Sequence, residues 1–399
     1  MTKINTAKIL VKGLFSPSDW IDLQPALGLK RELEKYFGTK VYPVNSGRSA
    51  IYLVLKAAGI GEGDEVIIQA YTCNAVPNPI IWTGAMPIYA DIQEDTLNVD
   101  PKNLEAKITK RTKAIILQHT FGRPGSLEEV LKLAKANNLL LIEDCAHSLG
   151  GSYKGKKLGT FGDAAIISFG REKVVSALAG GAILINNPKL EKPVENEIEK
   201  LTFPSFITYL KEFNNFFTWR LLIRKLFFTN LGTSLLNFLN RQEFFNVVTS
   251  QKELVGEKPA WYPKLLPGTF AKIALAEFPK VELANKHRNK IAGFYEEKIK
   301  NPKFKLLKPH SGVYLRFAVL AENPEPVFEE ARKRKFWFGN WYNTPVYPNR
   351  VDLSKMHYEP LSCPKAEKAA NQTINLPNYQ GMAEEEAQEI VDFINSYES

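Results

Sequence analysis

The sequence lacks the residue patterns that mark disulfide-rich, metal-binding and membrane-spanning proteins. Its 399 residues include three cysteines, none in a CxxC pair, and five histidines that do not cluster. This spacing argues against a disulfide framework or structural zinc and favours a reducing compartment, and it predicts no metal site. The N-terminus has no apolar signal-peptide run, and no stretch reaches the roughly 20 apolar residues of a membrane span. We therefore expect a cytoplasmic protein.

Basic residues outnumber acidic ones, and the net charge of +9 is spread along the chain rather than gathered in one arm. A solvated basic surface is the favoured interpretation. Attraction to an anionic small substrate or to an anionic membrane face is the alternative. No nucleic-acid-binding motif accompanies the charge, so no nucleic-acid partner is expected. The hydrophobic content of 44% and the length are typical of a globular chain with two domains.

Three residues supply, in chain order, the groups that a pyridoxal phosphate enzyme needs. Asp144 follows one apolar run, Ser168 follows another, and Lys173 lies five residues beyond Ser168. A strand-end carboxylate would keep the cofactor's pyridine nitrogen protonated, a hydroxyl would hold its phosphate, and a lysine amine would form the Schiff base. Burial beside other positive groups would help that lysine to lose its proton near neutral pH. The spacing therefore predicts a cofactor site built from these three residues.

Apolar, β-rich runs alternate with helical periods between residues 41 and 187. Continuous apolar runs are typical of strands whose sheet is covered by helices on both faces, so we expect a mostly parallel α/β unit. The predicted strands are Val66–Ile68, Ile88–Ala90, Ala114–Leu117, Leu139–Ile142, Ala164–Phe169 and Gly181–Ile185, and helices are predicted within residues 1–40 and over Ser126–Ala136.

The pattern changes twice toward the C-terminus. Residues 190–258 contain long apolar-aromatic helical stretches, and from about residue 263 a helical connector leads to a smaller α+β unit that closes with a helix near Glu384–Tyr397. We therefore predict that residues 1–258 form an N-terminal arm and a large cofactor-binding α/β domain, with an aromatic helical insertion at about 190–258. Residues 259–399 would form a connecting helix and a small C-terminal α+β domain.

Several segments together resemble the DegT/DnrJ/EryC1/StrS family of pyridoxal phosphate-dependent aminotransferases. The resemblance covers residues 30–190 and 355–397, and it rests on Asn45-Ser46-Gly47-Arg48-Ser49-Ala50, Gly63-Asp64-Glu65-Val66-Ile67, Gly159-Thr160-Phe161-Gly162-Asp163, Cys363-Pro364-Lys365-Ala366-Glu367 with Leu376-Pro377, and the Asp144 and Lys173 motifs. It implies the aspartate aminotransferase (type I) fold and pyridoxal 5'-phosphate as cofactor. It also implies a homodimer with the active site at the two-fold interface.

The resemblance assigns expected roles to four residues. Lys173 would be the Schiff-base lysine and the proton carrier, Asp144 the partner of the pyridinium nitrogen, and Ser168 a phosphate ligand. His147 stands where the family usually has a glutamine that contacts the ring hydroxyl of the cofactor. An imidazole there can donate one hydrogen bond, although a charge on it would change the electronics of that oxygen.

Gly47, Arg48 and Cys73 complete the expected cofactor site. Gly47 and Arg48 open a helix, whose N-terminal N–H groups bind phosphate well, and the Arg48 guanidinium would add a charge-assisted contact. A surface salt bridge is the alternative for Arg48. Cys73 stands where many members stack an aromatic ring on the cofactor, so packing on that face would come from sulfur or from a neighbour such as Tyr71. The favoured alternative for Cys73 is a small buried hydrophobic residue without a redox role.

Two departures from the family pattern concern the substrate. The family's Asn-Tyr-Arg stretch, which reaches across the dimer to the neighbouring active site, has no counterpart, and this region reads Leu266-Pro267-Gly268-Thr269-Phe270-Ala271. The family's C-terminal His-Tyr motif looks replaced by Gly339-Asn340-Trp341-Tyr342-Asn343. The cofactor motifs depend on neither stretch.

Residues 203–228 hold nine aromatic side chains and four basic ones, with Glu212 as the single acidic residue. An aromatic helix packed on the second domain or in a dimer interface is the favoured interpretation. Peripheral membrane contact is the alternative, because large apolar and basic side chains on one helix suit a membrane interface.

The resemblance implies an aminotransferase that moves an amino group from an amino acid donor, glutamate by resemblance, to a keto-substrate. That acceptor would be a nucleotide-linked keto-sugar of cell-surface or secondary-metabolite biosynthesis. Lysine at position 173 argues against a branch of the family in which histidine replaces it and dehydration results. One alternative is a cofactor-binding protein of this fold whose catalysis is lost or altered and which acts as a regulatory or membrane-peripheral partner. Another is a structural membrane-surface protein built around residues 203–228.

Overall fold

Strands and helices alternate along the chain in a computed structural model that describes residues 2–218, 229 and 249–398. The strands are β1 (Lys40–Val44), β2 (Glu65–Gln69), β3 (Thr72–Cys73), β4 (Met86–Ala90), β5 (Thr112–Gln118), β6 (Leu140–Asp144), β7 (Ser152–Tyr153), β8 (Lys156–Lys157), β9 (Ala164–Ser168), β10 (Gly181–Ile185), β11 (Phe304–Leu306), β12 (Phe317–Ala321), β13 (Val346–Tyr347) and β14 (Thr373–Leu376). The α-helices are α1 (Thr2–Phe15), α2 (Gln24–Phe37), α3 (Gly47–Ala57), α4 (Pro77–Thr83), α5 (Pro101–Ala106), α6 (Leu127–Ala136), α7 (Glu191–Glu199), α8 (Phe206–Thr218), α9 (Gln251–Leu254), α10 (Gly268–Glu277), α11 (Val281–Lys298), α12 (Glu325–Lys333), α13 (Pro364–Gln372) and α14 (Glu384–Asn395).

Seven strands form the central sheet in the order β1-β10-β9-β6-β5-β2-β4. Each of the neighbouring pairs from β9 to β4 is parallel, whereas β10 runs antiparallel to both β9 and β1. The apolar runs predicted as strands all lie in this sheet. Buried residues on its two faces belong to two separate hydrophobic clusters, as expected for a sheet covered by helices on both sides. The predicted mostly parallel α/β architecture is confirmed.

The smaller sheet has the order β11-β12-β14 and is antiparallel throughout. Its strands share a third hydrophobic cluster with α11, α12 and α14, in which Val319, Ile374 and Ile394 are fully buried. This unit is the predicted C-terminal α+β unit, including its closing helix. In contrast, α10 packs into a core of the large unit through Phe270 and Ala271. The division of the chain at residue 258 stays a prediction.

The described part of the aromatic insertion packs on the large unit. The rings of Trp20 and Phe206 meet edge to face with centroids 6.3 Å apart, and Phe213, Phe216 and Phe217 of α8 are partly buried against the same core. This packing supports the favoured structural interpretation, but it places the helix on the large unit rather than on the second domain. The remaining residues of the predicted membrane-contact segment, 219–228, lie outside the described residues.

No helix within residues 2–218, 229 and 249–398 combines the length and the apolar character needed to cross a bilayer.

Candidate active site

The predicted catalytic residues meet at one edge of the central sheet. Asp144 is the last residue of β6 and Ser168 the last of β9, and these two strands are parallel neighbours. Lys173 lies in the loop that follows β9, where its backbone N–H donates a hydrogen bond to the Gly170 carbonyl at 3.4 Å. The carboxyl ends of parallel strands are where open α/β sheets bind ligands. The fold therefore gathers a carboxylate, a hydroxyl and an amine at a ligand-binding edge.

The Asp144 carboxylate is buried at the floor of this site. Burial raises the pKa of Asp144, whereas a hydrogen bond from the Ala146 N–H to Oδ1 at 3.0 Å and the charges of Lys173 and His119 act in the opposite direction. A buried carboxylate is costly unless a cation or hydrogen-bond donors face it. Asp144 is therefore placed to pair with a positively charged group brought in by a ligand.

Lys173 carries an amine that is easier to deprotonate than an ordinary lysine. Burial lowers the pKa of Lys173 to about 8, with the positive charge of Arg316 adding to the effect and Cys73, Asp144 and Glu172 opposing it. A lysine held out of water beside another cation is the usual form of a nucleophilic lysine.

A helix N-terminus and a serine form the neighbouring anion cradle. The Ser46 hydroxyl caps α3 by accepting the Ser49 N–H at 3.0 Å, and α3 begins at Gly47. A methyl group added at Gly47 would lie 3.5 Å from Cβ of Ser168, so the two residues are direct neighbours. The Ser168 hydroxyl accepts the Gly170 N–H at 3.3 Å. Helix N-termini attract phosphate through their free N–H groups and their dipole.

The Arg48 side chain forms an ion pair with a buried carboxylate. Its Nε lies 2.7 Å from Oε1 of Glu253, and the two side chains are 12% and 1% exposed. Glu253 also holds the first turn of α9, because its Oε2 accepts the Ser250 N–H and the Ser250 hydroxyl. An ion pair, the alternative expected for Arg48, is therefore present, although it is buried rather than on the surface. The predicted phosphate contact of Arg48 stays a prediction.

Glu253→Gln is expected to destabilise the protein by about 3–5 kcal/mol, because it leaves the buried Arg48 charge without its anionic partner. The free energy of unfolding from a urea titration measures this effect. Glu257→Gln changes an exposed carboxylate three residues beyond α9 and serves as the matched control. Equal stability of the two variants would show that the pair contributes nothing.

His147 is neutral and presents one N–H. Its Nδ1 accepts a hydrogen bond from the Phe121 N–H at 3.2 Å, so Nε2 carries the proton. Burial lowers the pKa of His147 well below its usual value, and the charges of Lys173 and Arg316 add to this. The ring stacks on Phe121 and Trp341 with interplanar angles of 9° and 14°. The residue therefore offers a hydrogen-bond donor without a charge.

Aromatic side chains border the position of Cys73. Cys73 is partly buried in β3, which pairs with β13 in parallel register so that Tyr347 lies opposite it. Tyr71, the neighbour considered for face packing, is fully buried and bonds Thr373 Oγ1 at 2.7 Å through its hydroxyl. Trp341 is instead the ring beside the amine, with its centroid 5.6 Å from Lys173 Nζ.

Two buried residues below the site form a hydrogen-bonded support. His119 and Glu143 interact at 3.3 Å, and Glu143 also accepts the N–H groups of Gly159, Phe161 and Gly162. With Cys145 they have ligand atoms within 4.8 Å of one another, the spacing of a metal site. The second ring nitrogen of His119 already accepts the Gly125 N–H at 3.0 Å. These hydrogen bonds make the cluster a support for the Asp144 strand end.

Comparisons with known proteins show what the chain is similar to. A family model for DegT/DnrJ/EryC1/StrS aminotransferases matches residues 16–203 and 255–395. A GDP-perosamine synthase of Escherichia coli O157:H7 is 44% identical over 147 residues, which are 37% of this chain and 40% of that protein. An uncharacterized protein of Methanocaldococcus jannaschii is 27% identical over 95% of this chain and 91% of its own. The match thus spans less than half of the GDP-perosamine synthase.

Solved structures show the same fold. DesV of S. venezuelae, crystallised with a ketimine intermediate, has a TM-score of 0.75 at 22% identity over 98% of this chain and 94% of its own. The PLP form of the putative sugar aminotransferase Spr1654 of Streptococcus pneumoniae has a TM-score of 0.74 at 22% identity over 98% and 95%. The predicted type I fold is confirmed.

Proposed function

The chain belongs to the DegT/DnrJ/EryC1/StrS aminotransferase family, and on that premise we propose that it transfers an amino group from an amino acid, glutamate in the first instance, to a nucleotide-linked keto-sugar. The observation that carries the proposal is the meeting of Asp144, Ser168 and Lys173 at the carboxyl edge of the parallel sheet, with the pKa of Lys173 lowered to about 8.

Pyridoxal 5'-phosphate is the cofactor, and the side chains at this edge fit it. The buried carboxylate of Asp144 would face the protonated ring nitrogen, and the neutral His147 would donate its Nε2–H to the ring hydroxyl. Ser168 and the N-terminus of α3 at Gly47 would hold the phosphate. When bound, the cofactor supplies an electron sink for the negative charge that develops at the α-carbon of the donor.

Asp144 and Lys173 have separate roles in the reaction. Asp144 keeps the ring nitrogen positive because a buried carboxylate stabilises the facing cation. Lys173 would remove the proton from the α-carbon of the donor as general base and would then hold it for delivery as general acid, and a pKa near 8 suits both tasks close to neutral pH. Trp341 lies beside this amine, with its ring centroid 5.6 Å from Lys173 Nζ.

The reaction of the cofactor-free protein with pyridoxal phosphate is expected to accelerate about tenfold per pH unit up to about pH 8 and then to level off. Only the neutral amine attacks a carbonyl, and the pKa of Lys173 lies below the ordinary 10.5. At pH 7 the neutral fraction then exceeds that of an ordinary lysine by about 300-fold. Stopped-flow absorbance across pH 6–10 measures the profile. A rate that still rises at pH 10 would contradict the lowered pKa.

The acceptor class rests on the relatives. GDP-perosamine synthases of Escherichia coli O157:H7, Caulobacter vibrioides and Vibrio cholerae are 38–44% identical to this chain over 144–156 residues, which are less than half of their lengths. The test is incubation of the holoenzyme with glutamate and GDP- or other nucleotide-linked keto-sugars, with mass spectrometry of the products. An amino sugar formed together with 2-oxoglutarate supports the proposal. Conversion of no keto-sugar while glutamate is consumed would move the acceptor to another class.

We further propose that the protein is a homodimer and that it is located in the cytoplasm. A homodimer is supported by the family's two-fold arrangement and by the frequency of symmetric dimers among oligomers, and sedimentation of a stable active monomer would contradict it. A cytoplasmic location is supported by three cysteines that remain free thiols. Among the described residues, no feature of the site favours the alternative of a cofactor-binding protein without catalysis.

A further inference from the structure

A small cavity lies where the large unit meets the small unit, which is built on β11, β12 and β14. Its volume is about 20 Å³, and its wall includes Thr120, Phe121 and Arg123 of the large unit and Glu296, His310 and Tyr314 of the small unit. This is room for a water molecule or one small ion rather than for a substrate. We propose that the cavity is a binding site for a small monovalent anion of the size of chloride, held by Arg123 and His310. This site would be independent of the aminotransferase reaction.

Arg123 brings a buried positive charge to the cavity. The residue is 6% exposed, and its guanidinium makes no hydrogen bond or ion pair with any residue in the described ranges 2–218, 229 and 249–398. Burial lowers the pKa of Arg123. A buried charge is unfavourable unless an opposite charge or hydrogen-bond acceptors face it. An anion in the cavity would supply the acceptor that the five N–H donors of this guanidinium need.

The carboxylates nearest to Arg123 are engaged with other partners. Oε1 of Glu296 accepts a hydrogen bond from the Tyr314 hydroxyl at 2.6 Å, and the Asp95 carboxylate pairs with Lys308. Both carboxylates act on Arg123 from a distance and favour its charged form. Neither of them forms an ion pair with it in the described part of the chain, so they do not take the place of a bound anion.

His310 adds a neutral N–H donor to the wall of the cavity. Its Nδ1 accepts a hydrogen bond from the Gly312 N–H at 3.1 Å, so Nε2 carries the proton. Burial lowers the pKa of His310 to about 2, and the charge of Arg123 adds to the effect. The ring stacks on Tyr314 with centroids 3.9 Å apart, which fixes its orientation. A guanidinium and a neutral imidazole N–H suit an anion better than a cation.

The cavity is separate from the candidate active site. Its wall includes none of Asp144, His147 and Lys173. Arg316 also borders the cavity, but its guanidinium is already bound to the carboxylate of Glu172. The cofactor and the amino donor would therefore not compete with an anion on Arg123.

A bound anion would connect the two units at a place where their backbones already meet. The Val313 N–H donates a hydrogen bond to the Gly122 carbonyl at 3.2 Å. The approach is so close that a Cβ atom at Gly122 would lie 2.0 Å from the Val313 carbonyl oxygen. Arg123 follows Gly122 directly, so an anion between Arg123 and His310 would add a charged contact to the same junction. Anion binding is therefore expected to stabilise the folded protein.

The test is thermal unfolding of the full-length protein in sodium chloride and in sodium gluconate at equal ionic strength, because gluconate is too large for the cavity. A ligand that binds only the folded state raises the unfolding midpoint. Chloride in about 100-fold excess over its Kd should raise the midpoint by about 3 °C for a chain of this length, relative to gluconate. Arg123→Gln should abolish the difference between the two salts. Arg350→Gln changes an exposed arginine and is the control.

A second measurement detects the anion directly. The chloride NMR line broadens when ions exchange between water and a protein site. Wild-type protein should broaden this line more than Arg123→Gln does, and the excess should saturate as chloride is added. If the glutamine variant does not fold, Arg123→Lys takes its place, because it keeps the charge without the planar fork and should bind chloride more weakly.

A chloride-specific rise of the midpoint in wild type and in Arg350→Gln, absent from Arg123→Gln, would support the proposed site. Equal midpoints of the wild type in the two salts would overturn it and leave the cavity to water. A chloride effect of the same size in Arg123→Gln, or equal line broadening by this variant and the wild type, would also overturn it, because the anion would then bind elsewhere.

Discussion

Lys173→Ala is expected to lower turnover by about 10⁴-fold, the upper end of what a single general acid–base residue contributes. The structure places this amine in a site where burial lowers its pKa to about 8. The substitution removes both the nucleophile that attaches the cofactor and the group that moves the substrate proton. The rate of amino transfer under single-turnover conditions measures the loss. Cofactor should remain bound without covalent attachment, because the phosphate cradle and Asp144 are unchanged.

The control for this variant is Lys189→Ala, which removes an exposed lysine just beyond β10. It should retain wild-type turnover. An added small primary amine should restore part of the activity of Lys173→Ala and none in the control, because it re-enters the space that the lysine side chain leaves. Turnover of Lys173→Ala within tenfold of wild type would exclude the assigned role.

Asp144→Asn is expected to slow the donor half-reaction by between two and four orders of magnitude. The substitution keeps the size of the side chain and the hydrogen bond to the Ala146 N–H, but it removes the negative charge that faces the cofactor's ring nitrogen. Breaking a buried charge pair costs about 3–5 kcal/mol, and 1.36 kcal/mol corresponds to a factor of ten. Stopped-flow absorbance with saturating glutamate measures the rate constant of this step.

Asp392→Asn, which neutralises an exposed carboxylate on α14, is the control for Asp144→Asn and should leave the rate constant unchanged. The unfolding free energy should also be compared, because burial raises the pKa of Asp144 and its charged form is unfavourable in the empty site. The asparagine variant of the cofactor-free protein is therefore expected to be at least as stable as wild type. An unaltered half-reaction rate in Asp144→Asn would contradict the pairing with the ring nitrogen.

Much of the fold could be predicted because its determinants are local. Runs such as Val66–Ile68 and Ile166–Ile167 are apolar at every position, which is the pattern of strands buried on both faces, and they lie in β2 and β9. Asp144, Ser168 and Lys173 could be predicted for the same reason. Each lies at or just after a strand end, and a parallel sheet brings such ends to one edge.

The partners of these residues could not be predicted, because tertiary packing decides them. Arg48 and Glu253 are far apart in the sequence and come into contact only in the folded chain, so no local pattern marks their ion pair. The sequence of the Trp341 stretch departs from the family pattern, but nothing in it reveals the contact that Trp341 makes with Lys173. The charge of Arg316 helps to lower the pKa of Lys173, and the sequence marks this residue only as an interruption of the apolar run from Val313 to Leu320.

The packing of the aromatic insertion could also be predicted only in part. Its aromatic residues predicted a packing helix, and α8 does pack, but the surface that it covers follows from Trp20 and from α10. The carboxylate of Glu212 pairs with Arg171 at 2.7 Å, two residues before Lys173. Through this contact and the Arg48–Glu253 pair, both described parts of the insertion contact segments that build the candidate site, the start of α3 and the loop that holds Lys173.

The most direct measurement of the central claim is the absorbance spectrum of the purified protein with pyridoxal phosphate, before and after the addition of glutamate. We expect a band at the edge of the visible region that disappears in Lys173→Ala, and a shift of this band to that of the pyridoxamine form when glutamate is added to wild type. A wild-type protein that acquires no such band with added cofactor would contradict the assignment of Lys173 and the site built around it.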